Sequence, residues 1–310
     1  MEAKKKNMMK FFFPVFLVLL LLSSCTLESR RYAVLSTKEA GVFYQENSIP
    51  LISVNQPRAT GKTKLDKIVA AVHSEPDYTK YALVIGIEDY KQQAKVNYAN
   101  NSARTFASAA NNILGVPEEN ILFLDSDNAT SGQIKTKIAY LKELAEPEDS
   151  IYLYFAGHGV PGRDGDTYLL PADMGADAIH LEPQLKLNQI YSTLNESLAK
   201  RIYIFIDSCF SGKDDDGQLL FRGVAPVFKK EKKQFSSSKL TVMTAGGASD
   251  FANQYESESQ RLFTYFLISG LLEEKNDVDL LYKSVRRNVK KASLKIGLGY
   301  KQIPQLQMAD

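Results

Sequence analysis

Five short runs of apolar residues constrain the fold of this chain more than any other feature. They read YALVIGI from Tyr81, NILFLD from Asn120, SIYLYFA from Ser150, RIYIFID from Arg201 and KLTVMTA from Lys239. A strand with one face in water alternates apolar and polar side chains, whereas these runs are apolar at nearly every position. They therefore predict a sheet that is covered on both faces, which is typical of parallel strands.

Segments with the helical spacing of apolar residues separate and follow these runs. They read NSARTFASAANNIL from Asn101, TSGQIKTKIAYLKELA from Thr130, LNQIYSTLNESLA from Leu187, RLFTYFLISGLLE from Arg261 and VDLLYKSVRRNVKKA from Val278. Alternation of strands and helices along a chain is typical of α/β proteins. The pattern therefore predicts an α/β fold with helices on both faces of a mostly parallel sheet.

The N-terminal residues have a different character from the rest of the chain. A basic stretch, MEAKKKNMMK, precedes an apolar stretch, FFFPVFLVLLLL, whose length is typical of a signal peptide rather than of a transmembrane helix. The apolar stretch ends in LSSC, from Leu22 to Cys25, which resembles the lipobox of bacterial lipoproteins. Lipidation of Cys25 is therefore expected. The alternative is an ordinary signal peptide that happens to contain a cysteine.

Lipidation at Cys25 predicts where the protein resides. Several acyl chains on one residue anchor a protein stably to a membrane, whereas a single chain does not. We therefore expect an exported lipoprotein of the cell envelope. Because Thr26, and not Asp, follows the cysteine, the outer membrane is favoured over the inner one.

The change in pattern along the chain predicts three parts. Residues 1–25 are the signal peptide, and residues 26–78 are a tether with a small accessory element. Residues 79–310 hold the five apolar runs and form the main domain.

Composition excludes several classes of partner and cofactor. The net charge is +2, and no dense basic stripe with interleaved aromatic residues occurs, so a nucleic-acid partner is not expected. The chain has 2 cysteines, too few for a disulfide framework. It has neither a Cys-x-x-Cys motif nor clustered histidines, so zinc is not expected.

Two of the predicted strands end in turns that carry reactive side chains. SIYLYFA leads directly into Gly157, His158 and Gly159, and RIYIFID leads into Ser208 and Cys209. The carboxyl ends of parallel strands meet at one edge of a sheet, and the segment between these two strands has room for one crossover helix. If the two strands are neighbours, His158 and Cys209 face each other.

A thiol beside an imidazole is typical of an activated nucleophile. A thiolate attacks, and the histidine accepts the thiol proton or lowers its pKa. We therefore predict Cys209 as nucleophile and His158 as base. The flanking glycines leave room for substrate backbone, so the N–H groups of Gly159 and Cys209 are candidates for an oxyanion hole. The alternative is that Cys209 is an inert core residue.

Several blocks of the sequence together resemble the caspase and metacaspase clan of cysteine peptidases. The blocks are YALVIGIEDY, YLYFAGHG, YLLPAD, FIDSCFSG and RLFTYFLISGLL, in that order, with QIPQL near the end. His158 precedes Cys209 by 51 residues, and in caspases this separation is about 50. The resemblance covers residues 80 to 308. It implies a caspase-like fold with about six strands, endopeptidase activity on peptides or proteins, and no cofactor for the chemistry.

The resemblance also implies a pocket for the residue that precedes the scissile bond. Asp207 stands two residues before Cys209, where metacaspases carry an acidic residue that lines this pocket. A carboxylate there binds Arg or Lys and rejects Asp, so cleavage after Arg or Lys is expected. The alternative is that Asp207 only caps the turn.

Two departures from the metacaspase pattern bear on the same pocket. Ser102 stands where metacaspases carry a further pocket Asp, which makes it a second candidate substrate-binding residue and weakens the specificity assignment. Phe210 replaces the His that commonly follows the nucleophile. It either packs against substrate or fills space.

Two loops suggest regulation. Some metacaspases need calcium, and Asp214, Asp215 and Asp216 are candidate ligands because a hard cation takes several oxygens. The alternative is a solvated charge run. Clan members are often processed between the fourth and fifth strands. Candidate self-cleavage points there are Arg222, Lys229, Lys230, Lys232 and Lys233.

Two other functions stay open at this stage. One is a catalytically weak or inactive caspase-like module that binds partners or acts as a scaffold, which Ser102 favours and the intact His158 and Cys209 oppose. The other is a different thiol hydrolase, such as an esterase or amidase. The sequence lacks the Gly-x-Ser-x-Gly elbow of serine hydrolases.

Overall fold

A computed structural model describes residues 63–162, 165–215, 217–221, 237–247, 250–274 and 276–308. The chain divides into two units, Met1–Ser53 and Val54–Asp310, and every described residue lies in the second unit. Seven of the predicted site residues lie outside the described ranges: Cys25, Asp216, Arg222, Lys229, Lys230, Lys232 and Lys233.

Six strands form one sheet at the centre of the described unit. Their bounds are β1 Lys80–Gly86, β2 Ile121–Leu124, β3 Ser150–Ala156, β6 Arg201–Asp207, β7 Leu240–Thr244 and β10 Gln305–Met308. The strand order is β10-β7-β6-β3-β1-β2, and only the pairing of β10 with β7 is antiparallel. The predicted α/β fold with a mostly parallel sheet of about six strands is therefore confirmed.

Two short two-stranded ribbons lie outside this sheet. One pairs β4, Gly159–Pro161, with β5, Thr167–Leu169. The other pairs β8, Gln254–Tyr255, with β9, Gln260–Arg261. The first ribbon begins directly after the predicted catalytic histidine. The second leads directly into a helix at the same edge of the sheet.

Helices cover the sheet and connect its strands. Their bounds are α1 Lys64–Ala71, α2 Ala99–Asn112, α3 Ser131–Leu144, α4 Leu187–Asn195, α5 Leu262–Glu274 and α6 Val278–Ile296. All except α1 coincide with segments whose spacing predicts a helix. Thr130 caps the N-terminus of α3, because its hydroxyl accepts a hydrogen bond from the Gln133 N–H at 3.3 Å. Within the described ranges, no helix is both long and apolar enough to cross a membrane.

The apolar strands separate two cores, one on each face of the sheet. In β1, Leu83 and Ile85 pack on the face that α3 and α4 cover. Their neighbours Ala82 and Val84 pack on the opposite face, with α2, α5 and α6. Since successive side chains of a strand point to opposite faces, a strand buried on both faces is apolar at every position.

The packed unit extends further toward the N-terminus than the expected main domain. Helix α1 belongs to the segment 26–78, expected to be a tether with an accessory element. Its Leu65 and Val69 are buried against α2, and the Thr105 hydroxyl donates to Asp66 Oδ1 at 2.8 Å. Residues 64–71 are therefore part of the same core as the main domain.

Candidate active site

The turns after β3 and β6 lie side by side. The two strands are parallel neighbours in register from Ser150 opposite Arg201 to Ala156 opposite Asp207. Beyond the strands, the Ser208 hydroxyl donates to the Gly157 carbonyl oxygen at 2.7 Å. The expected pairing of these strands is confirmed. It brings the segments that carry His158 and Cys209 to one edge of the sheet.

The ring of His158 is held in a defined orientation. The side chain is 3% exposed, and its Nε2 lies 2.8 Å from the Ala94 carbonyl oxygen. A carbonyl oxygen only accepts hydrogen bonds, so Nε2 carries the hydrogen in this contact. In the neutral ring, Nδ1 then holds the free lone pair. Burial lowers the pKa of His158, which favours this neutral form.

Tyr90 supports His158 and was not identified from the sequence. Its hydroxyl accepts a hydrogen bond from the His158 backbone N–H at 2.7 Å, and the centres of the two rings are 4.8 Å apart. A Cβ atom on Gly157 would lie 2.5 Å from the Tyr90 hydroxyl oxygen. Glycine at position 157 is therefore required for this close approach.

The thiol of Cys209 is buried and neutral at rest. The residue is 9% exposed, and its sulfur accepts a hydrogen bond from the Ala252 N–H at 2.6 Å. Burial raises the pKa of the Cys209 thiol to about 11, although Ala252 and the positive charge of Arg261 act in the opposite direction. The sulfur of Cys209 is therefore hydrogen-bonded to the Ala252 N–H, and Nε2 of His158 is hydrogen-bonded to the Ala94 carbonyl oxygen.

Asp207 is fully buried beneath the turn that carries the thiol. Its Oδ2 accepts hydrogen bonds from the Thr264 N–H at 3.0 Å and from the Thr264 hydroxyl at 2.6 Å. Its Oδ1 lies 4.0 Å from Nε of Arg261. Burial raises the pKa of the Asp207 carboxyl, while Arg261 and Thr264 act to lower it. The carboxylate therefore contributes to a buried charge cluster.

Arg261 is the centre of that cluster and was not identified as a site residue from the sequence. It is 1% exposed, and one of its terminal nitrogens, Nη1, lies 3.0 Å and 2.9 Å from the two carboxylate oxygens of Asp215. The same nitrogen donates to the Asn97 carbonyl oxygen at 3.3 Å, and the other terminal nitrogen, Nη2, donates to the Ala252 carbonyl oxygen. Burial alone would lower the pKa of Arg261, but the attraction of Asp215 and Asp207 raises it, so the guanidinium stays charged.

Other predicted site residues lie around this cluster. Ser102 is fully buried, and its hydroxyl accepts a hydrogen bond from the Arg261 backbone N–H at 2.8 Å. Phe210 is 2% exposed and belongs to a hydrophobic core, so it fills space. A Cβ atom on Gly159 would lie 2.4 Å from the Phe210 ring. Glycine at 159 therefore lets the turn that carries His158 pack against the turn after Cys209.

The two described residues of the acidic run have protein partners. Asp214 Oδ1 accepts a hydrogen bond from the Gln218 N–H at 2.7 Å, and Asp215 binds Arg261 and the Asn97 N–H. In the described part of the chain, no group of three or more His, Cys, Asp or Glu side chains is arranged to hold a metal ion. A calcium ion at Asp215 would have to replace the guanidinium, so this arrangement does not fit the ion.

A groove of about 440 Å³ lies along the loop that contains Ala94. Its lining residues include Gln92, Gln93, Ala94, Asp214 and Leu220. Ala94 is also the residue whose carbonyl oxygen binds the His158 ring. The groove thus joins the loop that orients the histidine to the loop that follows Cys209.

Comparison with known proteins identifies related sequences. The family model described as the caspase domain matches residues 79–310. Metacaspase-1A of Aspergillus oryzae is 26% identical over 148 residues, which cover 43% of this chain and 35% of that protein. Metacaspase-1B of Aspergillus clavatus is 27% identical over 198 residues, which cover 58% of this chain and 48% of that protein. The matched part of the chain thus spans at most about half the length of these relatives.

Solved structures share the same fold. Protein GSU0716 from Geobacter sulfurreducens matches with a TM-score of 0.53 and 17% identity, over 74% of this chain and 93% of that one. Caspase-1 from Spodoptera frugiperda matches with a TM-score of 0.50 and 16% identity, over 76% of this chain and 88% of that one. At such low identity these similarities concern the fold alone.

Proposed function

Because the chain belongs to the caspase-domain family, we propose that it is a cysteine endopeptidase with Cys209 as nucleophile and His158 as base. The observation that carries this proposal is the parallel pairing of β3 with β6, after which both residues follow at one edge of the sheet. The tautomer of His158 also supports it, because the bond to Ala94 leaves Nδ1 free to accept a proton.

The proposed reaction uses these groups in two stages. The thiol proton of Cys209 passes to Nδ1 of His158, and the sulfur bonds to the carbonyl carbon of the substrate. The oxyanion accepts hydrogen bonds from the N–H groups of Gly159 and Cys209. The C–N bond breaks, and the amine leaves with the proton from His158. Water then attacks the thioester carbonyl carbon while His158 takes its proton. The C–S bond breaks, the carboxylic acid product leaves, and the proton passes from His158 to the sulfur, which restores the thiol.

The resting site must change before this reaction begins. At rest the Cys209 thiol is protonated, and its hydrogen bond comes from Ala252. Only the thiolate is a strong nucleophile. We infer that substrate draws the sulfur away from the Ala252 N–H and toward His158, where the imidazole takes its proton.

Cleavage after Arg or Lys is part of the proposal. Asp207 and Asp215 provide two carboxylates within one cluster, and both contact the guanidinium of Arg261. A guanidinium group from a substrate fits such carboxylates for the same reason. The position of Arg261 therefore affects whether a substrate side chain can reach the carboxylates of Asp207 and Asp215.

Two further features of the proposed enzyme concern residues outside the described ranges. They are lipid attachment at Cys25 with residence in the cell envelope, and self-processing in the basic loop. Metabolic labelling with a palmitate analogue tests the first: wild type is labelled and Cys25→Ala is not. Migration of wild type and Cys209→Ala on a denaturing gel tests the second.

Peptide cleavage by the full chain in detergent tests the main proposal. Peptides carry Arg, Lys, Asp or Leu before a fluorescent leaving group, with and without calcium. We expect cleavage after Arg or Lys that is absent in Cys209→Ala and in His158→Ala. The loss should be about 10⁴-fold or more, because members of a catalytic unit act together. Activity that survives in Cys209→Ala would contradict the assigned nucleophile.

A second candidate function is a binding module that has kept the fold without the activity. The observation in its favour is the buried thiol of Cys209, whose pKa is raised to about 11. Alkylation with iodoacetamide at pH 7 separates the two, because a thiolate reacts far faster than a protonated thiol. If substrate-like peptides fail to increase the labelling rate and no peptide is cleaved, the binding module is favoured.

A further inference from the structure

We propose that Arg261 occupies the acidic substrate pocket from within the chain and competes with the basic side chain of a substrate. The proposal deepens the proposed function and rests on Asp207 as the pocket residue. A substrate Arg would need to bind where the guanidinium of Arg261 now lies.

The guanidinium of Arg261 lies next to the proposed nucleophile. One residue, Ala252, links the two groups: its N–H donates to the Cys209 sulfur, and its carbonyl oxygen accepts a hydrogen bond from Nη2 of Arg261. The positive charge of Arg261 also acts to lower the pKa of the Cys209 thiol. Arg261 is therefore part of the active-site surroundings and not a remote ion pair.

The charges that would attract a basic substrate are already matched. Asp215 binds Arg261 through both of its carboxylate oxygens, and Asp207 lies within ion-pair range of Nε. The side chains of Arg261 and Asp207 are 2% and 0% exposed. In this state neither Arg261 nor Asp207 is open to solvent, so a substrate guanidinium has no accessible carboxylate at that depth.

The internal occupant fits the pocket incompletely. Nε of Arg261 and Oδ1 of Asp207 are both buried, and neither makes a hydrogen bond within the described residues. They face each other at 4.0 Å, which is beyond the range of a direct hydrogen bond. A buried donor and acceptor left in this way are unfavourable. A substrate Arg that reaches Oδ1 at normal distance therefore has an advantage at Asp207.

Two of the residues that hold Arg261 lie in loops. Asp215 belongs to the loop after Cys209, and its side chain is 14% exposed. Asn97 binds both Asp215 and Arg261, and it precedes Tyr98, a non-glycine residue with φ of 66°. Such a conformation costs free energy in a bulky residue. Movement of either loop would loosen the guanidinium and open the pocket.

Replacement of Arg261 tests the proposal with two readouts, one of which is independent of catalysis. In Arg261→Ala, ethylguanidinium should raise the melting temperature, because it refills the cavity beside Asp207, and it should leave the wild type unchanged. The KM for peptides with Arg before the scissile bond should fall about tenfold or more, since the pocket no longer has to open first.

Two further variants keep the test interpretable. Arg104→Ala is the matched control. Arg104 pairs with Asp125 at a distance of 3.2 Å, and this pair is not part of the cluster around Arg261. Ethylguanidinium should therefore not stabilise the Arg104→Ala variant. If Arg261→Ala fails to fold, Arg261→Lys retains a cation but loses the second terminal nitrogen, which donates to the Ala252 carbonyl oxygen. It should show a smaller fall in KM.

The outcomes separate this inference from the proposed function. Equal KM values for wild type and Arg261→Ala, without stabilisation by ethylguanidinium, would overturn the inference and leave the peptidase intact. Wild-type cleavage after Asp or Glu that Arg261→Ala loses would also overturn it, because Arg261 would then recognise substrate itself. If ethylguanidinium stabilises Arg261→Ala but not Arg261→Ala/Asp207→Asn, the occupied pocket is supported. If, in addition, no peptide is cleaved, the proposed function is contradicted.

Discussion

The two ends of β3 and β6 carry ion pairs of opposite character. At the amino ends, Lys200 and Glu148 are 2.6 Å apart, and their side chains are 54% and 75% exposed. At the carboxyl ends, Arg261 pairs with Asp215 at 2.9 Å and faces Asp207 at 4.0 Å. The shorter pair is the one in water, and the pair with the longer contacts is buried.

Burial, and not distance, decides what each pair contributes. Water screens the exposed pair and competes for its hydrogen bonds, so the pair adds little to stability. The buried charges have lost their water, so each depends on its protein partners, and removal of one partner leaves the others uncompensated. Removal of a charge should therefore change the stability little at the amino edge of the sheet and strongly at the carboxyl edge.

The largest expected effect is that of removing the buried cation. Arg261→Met should lower the free energy of unfolding by about 3–5 kcal/mol, because Asp207 and Asp215 lose their counterion. Chemical denaturation at pH 7 measures this change. The double variant Arg261→Met/Asp207→Asn should recover part of the loss, since one of the two stranded charges is then absent. A double variant no more stable than Arg261→Met would contradict the coupling.

Alkaline pH should reveal the burial of the thiol. The pKa of Cys209 rises from 9.0 to about 11 on folding, so between these values the unfolded chain loses the thiol proton first. The stability that Cys209 contributes is therefore complete below pH 9 and is lost as the pH rises toward 11. The loss amounts to about 2–3 kcal/mol.

The difference in stability between wild type and Cys209→Ala isolates this effect. Other groups that titrate in the alkaline range are common to both proteins and cancel in the difference. Denaturation curves at pH 8 and pH 11 give the two differences. If the difference stays constant between these pH values, the thiol is not desolvated as the structure indicates.

Loss of one hydrogen bond to Asp207 should have a smaller effect. The Thr264 hydroxyl donates to Asp207 at 2.6 Å and lies 2.5 Å from the hydroxyl of Tyr154. Thr264→Val keeps the shape but removes both contacts, and should cost about 1–3 kcal/mol. Thr264→Ser, which keeps the hydroxyl, is the control. Equal stability of the two variants would show that the hydroxyl contributes nothing.

The smallest expected effect is at the amino edge. Lys200→Ala should change the free energy of unfolding by only about 0.2–1 kcal/mol, because both partners of the pair are exposed. The corresponding change in Glu148→Ala should be equally small and should vanish in high salt. A loss as large as that in Arg261→Met would remove the distinction between the two edges.

Most of the sheet was predictable because the strands are buried on both faces. Burial leaves an unbroken apolar run in the sequence, and all five predicted runs contain a strand. The sixth strand, β10, was not predicted from its pattern. All four of its residues are partly exposed at the edge of the sheet, where burial does not impose an apolar run.

The site was predictable only in part, for a related reason. His158 and Cys209 follow strands whose parallel pairing could be expected. Their position at one edge of the sheet could therefore be predicted without knowing the conformation of any other loop. Tyr90 and Arg261 were missed. Arg261 stands at the start of the segment RLFTYFL, where the pattern predicts helix, and in the structure it ends β9 instead.

By itself, the sequence determined the order of strands and helices and the turns that carry the thiol and the imidazole. These features depend on the local pattern of apolar residues, which follows from the burial of each strand. Only the tertiary structure decided how charge is arranged around them. Arg261 is separated along the sequence by 46 residues from Asp215 and by 164 residues from Asn97, so no local pattern predicts these contacts. They arise because a charge buried by the fold must be matched by whatever groups the fold brings beside it.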